Sequence, residues 1–147
     1  MSKEFNGFKI EVRPMMENEN VVRAAVKAFA LANVPKITTC QVGDLEVCVS
    51  EAFRNAVEYG LPNNTGGTIT VAAQLRNRYS LTLIVRDNGK GIDNVKQAMK
   101  PMFSTGGSAH SGMGFTIMES FMTSFKVSSQ PGKGTTVHMR RKIKQRQ

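Results

Sequence analysis

A turn-forming segment, residues 61–67, divides the chain into two parts with different hydrophobic patterns, and this division constrains the fold most. The segment contains one proline, two asparagines and two glycines. Before it, residues 19–33 and 39–59 carry apolar side chains at the three- and four-residue spacing of amphipathic helices. After it, residues 68–75 and 80–86 are β-rich runs joined by a short polar turn at 76–78. We therefore predict two helices followed by an antiparallel hairpin.

The remaining patterns extend this order at both ends. Residues 8–13 alternate as a half-buried strand does, and Pro14 ends that strand. A helical patch at 94–99 precedes a small-residue segment, 104–109, which we expect to be mobile. A third helix then begins at residues 112–114, and two strands flank a turn at 130–134. The order predicts a single domain, residues 1–147, with an α/β (α+β) sandwich fold: a mixed, largely antiparallel sheet with helices on one face, and a basic tail from about residue 140.

The charge of the chain points to an anionic partner. Lys and Arg number 20 against 11 Asp and Glu, a formal net charge of +9, which suits a nucleic acid, a membrane surface, a nucleotide or an acidic protein. Every apolar stretch falls far short of the ~18 residues that cross a bilayer, and the polar N-terminus predicts a cytoplasmic protein. Cys40 and Cys48 are then expected to be reduced thiols, since the cytoplasm is reducing. They are expected to be buried because they lie on or near an apolar helix face.

Three polar positions of the second helix form a stripe beside its apolar face. Glu51, Asn55 and Glu58 are spaced i, i+4, i+7, which places them at the rim of the core. A carboxylate and an amide one turn apart can supply a base for a hydroxyl and a hard oxygen ligand for Mg²⁺. A solvated helix face explains the same spacing.

Two glycine-containing segments could contact a nucleotide. Asp87, Gly89 and Gly91 follow a strong strand pattern; they form either a hairpin turn or a site where Asp87 accepts a hydrogen bond from adenine and the glycines admit the flat ring. The segment 111–115 opens a helix whose unpaired N–H groups could face phosphates. The chain contains neither a P-loop nor a Rossmann glycine pattern.

Taken together and in this order, four motifs resemble the nucleotide-binding boxes of the ATPase family that includes gyrase B, Hsp90, sensor histidine kinases and MutL. They are Glu51-x-x-x-Asn55-Ala56, Asp87-x-Gly89-x-Gly91, Gly112-Met113-Gly114 and Gly134-Thr135-Thr136. Residues 49–52, 101–105 and 111–122 are similar, more narrowly, to the anti-sigma F factors of sporulation, a family of protein serine kinases. The resemblance covers about residues 10–141.

This resemblance implies a histidine-kinase-like ATPase fold that binds ATP or ADP with Mg²⁺. It also implies a homodimer that holds a sporulation sigma factor of the F type inactive and phosphorylates a serine of an anti-anti-sigma protein, without direct contact with nucleic acid or membrane. A general-stress anti-sigma kinase of the same family is the alternative.

The resemblance also implies individual roles. Glu51 is the expected general base, Asn55 the Mg²⁺ ligand, and Asp87 the acceptor for the adenine amine. Gly89 and Gly91 flank the base, and Thr135 contributes its hydroxyl. A lid spans residues 101–110. The expected nucleotide contacts at the lid and the phosphates are Thr105, Ser111, Gly112, Met113, Gly114 and Phe115.

Two positions leave alternatives open. His110 stands where the family usually has a lid arginine, and a histidine that is mostly neutral at pH 7 grips phosphate less well. A nucleotide-gated sigma-binding regulator with little kinase turnover is therefore a second hypothesis. Arg23 matches a position where partner proteins dock, and is otherwise an exposed helix arginine.

The net charge is then attributed to two regions. The basic tail carries part of it, and a middle group is expected to surround the nucleotide site and lid. That middle group comprises Arg76, Arg78, Arg86, Lys90, Lys96 and Lys100.

Overall fold

The computed structural model of the protein describes residues 5–61, 66–100 and 114–143. It confirms the predicted order of helices and strands within these ranges, whereas the segment 104–109 and the start of the third predicted helix lie outside them. The elements are β1 (Phe5–Val12), α1 (Asn18–Asn33), α2 (Thr39–Asn55), β2 (Ile69–Arg76), β3 (Ser80–Asp87), α3 (Val95–Ala98), α4 (Gly114–Phe121), β4 (Ser124–Gln130) and β5 (Gly134–Lys142).

The strands form one five-stranded sheet in the order β1-β2-β3-β5-β4, and each of its four pairings is antiparallel. The last strand, β5, therefore lies inside the sheet between β3 and β4. Burial alternates along β3, with Leu81, Leu83 and Val85 buried and their neighbours more accessible. The helices cover one face of the sheet, as the α+β sandwich prediction requires.

Helices α1 and α2 supply the other half of the core. The apolar stripe predicted for α2 is buried throughout, and Phe53 is completely inaccessible to solvent. Replacement of a phenylalanine in such a position by alanine costs about 3–5 kcal/mol. Thr38 and Gln41 form a capping box at the start of α2, each side chain accepting a backbone N–H of the other residue.

Arg141 of β5 ties α4 to α2. Its Nη1 donates to Asp44 Oδ2 of α2 at 2.9 Å and to the carbonyl oxygen of Phe121, the last residue of α4, at 2.7 Å. One side chain thereby satisfies a carbonyl at the C-terminus of α4 and fixes this helix against α2.

The structure departs from the sequence predictions in two details. The helical segment predicted to end near Tyr59 changes its hydrogen bonding after Asn55 and continues as a π-helical turn, Ala56–Gly60. Cys48 is buried as predicted, but the same prediction is wrong for Cys40, which is exposed in the first turn of α2.

Candidate functional site

A cavity of about 370 Å³ opens between the end of α2, the adjoining ends of β3 and β5, and the segment from Lys90 to α3. This volume lies in the range typical of small-molecule sites. Its walls are formed by Ala52, Asn55, Ala56, Tyr59, Gly60, Val85, Asp87, Lys90, Gly91, Ile92, Asp93, Asn94, Gln97, Ala98, Gly114, Phe115, Thr135 and Val137.

Asp87 ends β3 and is 5% exposed. Its Oδ1 accepts a hydrogen bond from the N–H of Gly89 at 2.8 Å. Burial raises the pKa of the Asp87 carboxyl above its ordinary value of 3.8, and the backbone N–H groups of Gly89 and Thr135 partly oppose this shift. The cavity thus contains a desolvated carboxyl group, which is a strong hydrogen-bond acceptor when ionised.

Two glycines allow the backbone to pack directly on this carboxyl group. A Cβ added to Gly60 would lie 2.8 Å from both carboxyl oxygens of Asp87, and a Cβ added to Gly89 would overlap the Gly60 carbonyl. The Gly60 carbonyl also accepts the N–H of Lys90 at 3.0 Å. Gly60 belongs to none of the motifs identified in the sequence, so its place in the site was missed.

Position 91 requires glycine because of its backbone conformation and because of a close backbone contact. Its φ of +77° is unfavourable for other residues, and a Cβ would overlap the carbonyl of Gln130. The turn between β4 and β5 therefore packs tightly against the segment that follows Asp87.

Ser129 of β4 joins three parts of the wall. Its Oγ accepts the N–H of Ile92 at 2.7 Å, donates to the carbonyl of Gly134 at 3.0 Å and lies 2.9 Å from Thr135 Oγ1. Either hydroxyl can donate in the contact between Ser129 and Thr135, and the Thr135 oxygen keeps at least one lone pair for another donor. The β register places Thr135 opposite Asp87. No motif marked Ser129 in the sequence.

The start of α4 packs against the polar stripe of α2. A Cβ added to Gly114 would lie 3.1 Å from Glu51 Oε2 and 3.1 Å from Asn55 Nδ2. Asn55, Gly114 and Phe115 line the cavity, whereas Glu51 is not part of its lining and lies beside Gly114 at this junction. Glu58, at the other end of the stripe, is half-buried and does not line the cavity.

The structure thus brings together most of the described residues that the sequence assigned to nucleotide binding. Those assigned to the lid and to the phosphate loop, Thr105, Ser111, Gly112 and Met113, lie outside the described residues. Arg23 is remote from the cavity: it lies on α1, with its guanidinium 4.0 Å from Glu19 and 3.7 Å from Glu46 of α2.

The expected group of basic residues around the cavity is wrong for Arg76, Arg78 and Arg86. Lys90 lines the cavity, but Arg76 and Arg86 alternate with the buried residues of β2 and β3 and therefore lie on the opposite face of the sheet. Arg78 lies in the turn that joins these strands. Periodicity predicted the strands, but the charge assignment ignored which face each arginine occupies.

Within the described ranges, no three His, Cys, Asp or Glu side chains form a group able to hold a metal ion. The same part of the chain contains no helix long and apolar enough to cross a membrane.

Comparison with known proteins identifies the class that this fold and cavity define. Residues 13–141 match the histidine kinase-like ATPase domain family. The chain is 39% identical over 139 residues to the anti-sigma F factor of Clostridium acetobutylicum, with 94% of each chain covered. It is 36% identical to the anti-sigma F factor of Shouchella clausii, with 94% of this chain and 93% of the relative covered. The protein therefore belongs to the anti-sigma F factor family, within the histidine kinase-like ATPase domains.

Solved structures show the same fold at lower sequence identity. The RsbU and RsbW domains of a Mycobacterium tuberculosis protein superpose with a TM-score of 0.67 at 19% identity, over 94% of this chain and 32% of that one. The mycobacterial sensor histidine kinase MprB superposes with a TM-score of 0.56 at 18% identity, over 94% of this chain and all of that one.

Proposed function

We propose that this protein is an ATP-dependent anti-sigma factor and protein serine kinase. It binds a sporulation sigma factor of the F type and phosphorylates a serine of the anti-anti-sigma protein that opposes it. The observation that carries the proposal is the junction of Gly114 with Glu51 and Asn55. This junction puts an amide at one end of a cavity whose other wall holds Asp87, with a carboxylate directly beside that end.

The walls of the cavity fit an adenine nucleotide. An ionised Asp87 accepts a hydrogen bond from an exocyclic amine, and Thr135 lies beside it with an available oxygen. The tight backbone packing at Gly60, Gly89 and Gly91 shapes a narrow wall against which a flat ring can lie. ATP and ADP are accordingly the proposed ligands.

The opposite end of the cavity fits phosphates and Mg²⁺. The sequence predicts that the helix containing α4 begins at residues 112–114, and the partial positive charge of such an N-terminus would favour an anion near Gly114. Asn55 offers an amide oxygen, a ligand type that Mg²⁺ accepts, and Mg²⁺ takes few protein ligands because it keeps several waters. Bound Mg²⁺ would neutralise phosphate charge during transfer.

Glu51 is the proposed general base. Its carboxylate lies beside Asn55 and Gly114, where it can accept the proton of a substrate serine hydroxyl and make that oxygen a better nucleophile. General-base catalysis of this kind contributes about 10²–10⁴-fold to a rate.

The kinase proposal is tested by incubating the protein with ATP, Mg²⁺ and its cognate anti-anti-sigma protein and measuring phosphoserine by mass spectrometry. We expect Glu51→Gln to lose about 10²–10⁴-fold in turnover and to retain ATP binding, and Asn55→Ala to lose Mg²⁺-dependent ATP binding. Glu58→Gln removes the same charge from the π-helical turn and not from the junction with Gly114; it is the matched control and should retain both. Full activity of Glu51→Gln would remove Glu51 from the mechanism.

A nucleotide-gated regulator with little turnover is the second candidate, because His110 stands where the family usually has a lid arginine. ATP-dependent binding of the sigma factor without phosphoserine in the same assay would favour it.

The partner surface is proposed to include Arg23, whose side chain is 41% exposed between Glu19 and Glu46. Arg23→Ala should weaken sigma-factor binding and leave ATP binding unchanged. A sigma-factor partner also places the protein in the cytoplasm. The proposed homodimer is tested by sedimentation equilibrium.

A further inference from the structure

The sheet face opposite the helices carries an unpaired basic surface. Side chains that alternate with the buried ones along each strand lie on this face, and six of them are exposed lysines or arginines; Glu11 is the one carboxylate among its described side chains. The six, here called the sheet-face cations, are Lys9, Arg76, Arg86, Lys126, Arg140 and Lys142.

The strand register spreads these cations over the whole face. Lys9 and Lys126 occupy one cross-strand row on the two edge strands, about 19 Å apart at the usual strand spacing. Arg140 and Lys142 lie two residues apart on β5, about 7 Å along the strand. The result is a flat array of positive charges rather than a single cluster.

The helix side of the molecule pairs its arginines, but the sheet side does not. Arg23, Arg54 and Arg141 each lie within 4.0 Å of a carboxylate. Within the described ranges, no ion pair involves a sheet-face cation; Arg140 donates only to the hydroxyl of Ser124, at 3.2 Å. These charges therefore remain available to an external anion.

The other residues of this face narrow the class of partner. Apart from Phe5, which the register places opposite Arg76 on the edge strand, they are mostly hydroxyls and amides, with Ala72 and Ile84 near the centre, and they include no further phenylalanine, tyrosine or tryptophan. The hot spots of protein interfaces and the binding sites of single-stranded nucleic acids use mainly aromatic or apolar anchors, and amphipathic helices that bind membranes bury an apolar face. A second copy of the chain would bring like charges together. Cations interspersed with hydroxyls match the contacts that proteins make to nucleic-acid phosphates.

We propose that this sheet face binds the phosphate backbone of duplex DNA without sequence preference. A five-stranded sheet, about 19 Å across, is too wide to enter the major groove, which is about 12 Å wide and admits a helix or a two-stranded ribbon, so base edges are not read. The nucleotide cavity lies on the helix side, and DNA contact is therefore independent of the proposed kinase site. The sequence predicted no nucleic-acid partner because it assigned Arg76 and Arg86 to the nucleotide site.

Fluorescence anisotropy of a labelled duplex of arbitrary sequence, titrated at several salt concentrations, tests this. If about four phosphates are contacted, log K falls with log salt with a slope of about −3.6, an affinity loss of about 150-fold between about 50 and 200 mM salt. The triple variant Lys126→Gln, Arg140→Gln, Lys142→Gln should reduce the magnitude of that slope by up to about 2.7.

The matched control is Lys27→Gln, Lys36→Gln, Lys96→Gln, which removes the same charge from exposed positions on or next to helices. It should leave the slope unchanged, as should Lys144→Gln, Arg146→Gln in the basic tail. An equal loss in either control, or no binding at low salt, would overturn the proposal. So would wild-type binding of polyglutamate as tightly as DNA, because that identifies an acidic-protein surface. Unchanged ATP binding and thermal melting in the sheet-face variant show that it is folded.

Discussion

The carboxyl group of Asp87 lies directly against Gly60, so that the end of the helical segment that continues α2 and the end of β3 meet without an intervening side chain. This contact places the π-helical turn Ala56–Gly60 beside the one buried carboxyl group that lines the cavity. Residues from the helix layer and the sheet layer therefore form a single wall.

Replacement of Gly60 by alanine should damage this wall. The new methyl group would lie 2.8 Å from the Asp87 carboxyl atoms, which forces a shift that costs about 1–3 kcal/mol. We expect at least a tenfold loss of ATP affinity in calorimetric titration. Gly43→Ala is the control, because a Cβ there meets nothing within 4 Å and alanine stabilises a helix interior by about 0.5–1 kcal/mol. Wild-type affinity in Gly60→Ala would contradict the proposed wall.

Asp87→Asn should abolish ATP binding and change the pH dependence of the free energy of unfolding. Burial raises the pKa of Asp87, so the folded protein holds this proton more tightly than the unfolded chain does. The wild type therefore loses stability as the pH rises above the unfolded value of 3.8 and through the folded pKa, whereas the asparagine variant lacks this term. In urea unfolding, the stability of the wild type relative to the variant should fall from pH 4 to pH 7. A rise in the stability of the wild type relative to the variant between pH 4 and pH 7 would contradict this assignment. ATP binding should be lost in the variant.

Ser129→Ala should destabilise the protein by about 1–3 kcal/mol, because it leaves the N–H of Ile92 and the carbonyl of Gly134 without the hydroxyl that now pairs them. Ser128→Ala, one residue earlier on the exposed face of the same strand, should change stability by less than about 0.5 kcal/mol. Thermal unfolding measures both. Equal effects would show that Ser129 has no special role.

The two cysteines should react at very different rates. Cys48 is buried, and burial, with a smaller contribution from Asp44, raises its pKa to about 12, so that only about one thiol in ten thousand is ionised at pH 8. Cys40 is exposed. A thiol reagent at pH 8 should therefore label one cysteine in the native protein and the second on unfolding, and Cys40→Ser should abolish the native label. Rapid native labelling of Cys40→Ser would contradict the burial of Cys48.

Hydrophobic periodicity was sufficient to predict the helices and strands. The stripe from Leu45 to Ala56 is buried, and the alternation at Phe8, Ile10 and Val12 corresponds to β1. These predictions are confirmed because the burial of each side chain follows from its position along one helix or strand.

Relationships between elements were harder to predict. Ser129 carries no local signal, since its role depends on β4, β5 and the segment at Ile92 meeting at one point. Arg76 and Arg86 were placed on the wrong side because charge was assigned by distance along the chain. The inner position of β5, which fixes the partner of Asp87, likewise follows from pairing over a long sequence separation.

That inner position of β5 has a consequence for synthesis. Domains generally fold as units, and the N-terminal part of a chain is made first. Until residues 134–142 have been translated, β3 lacks a neighbour at one edge and Asp87 lacks Thr135 opposite it. The wall of the cavity that holds Asp87 therefore forms only late in translation, and a nascent chain that ends before β5 exposes an unpaired strand edge in place of this wall.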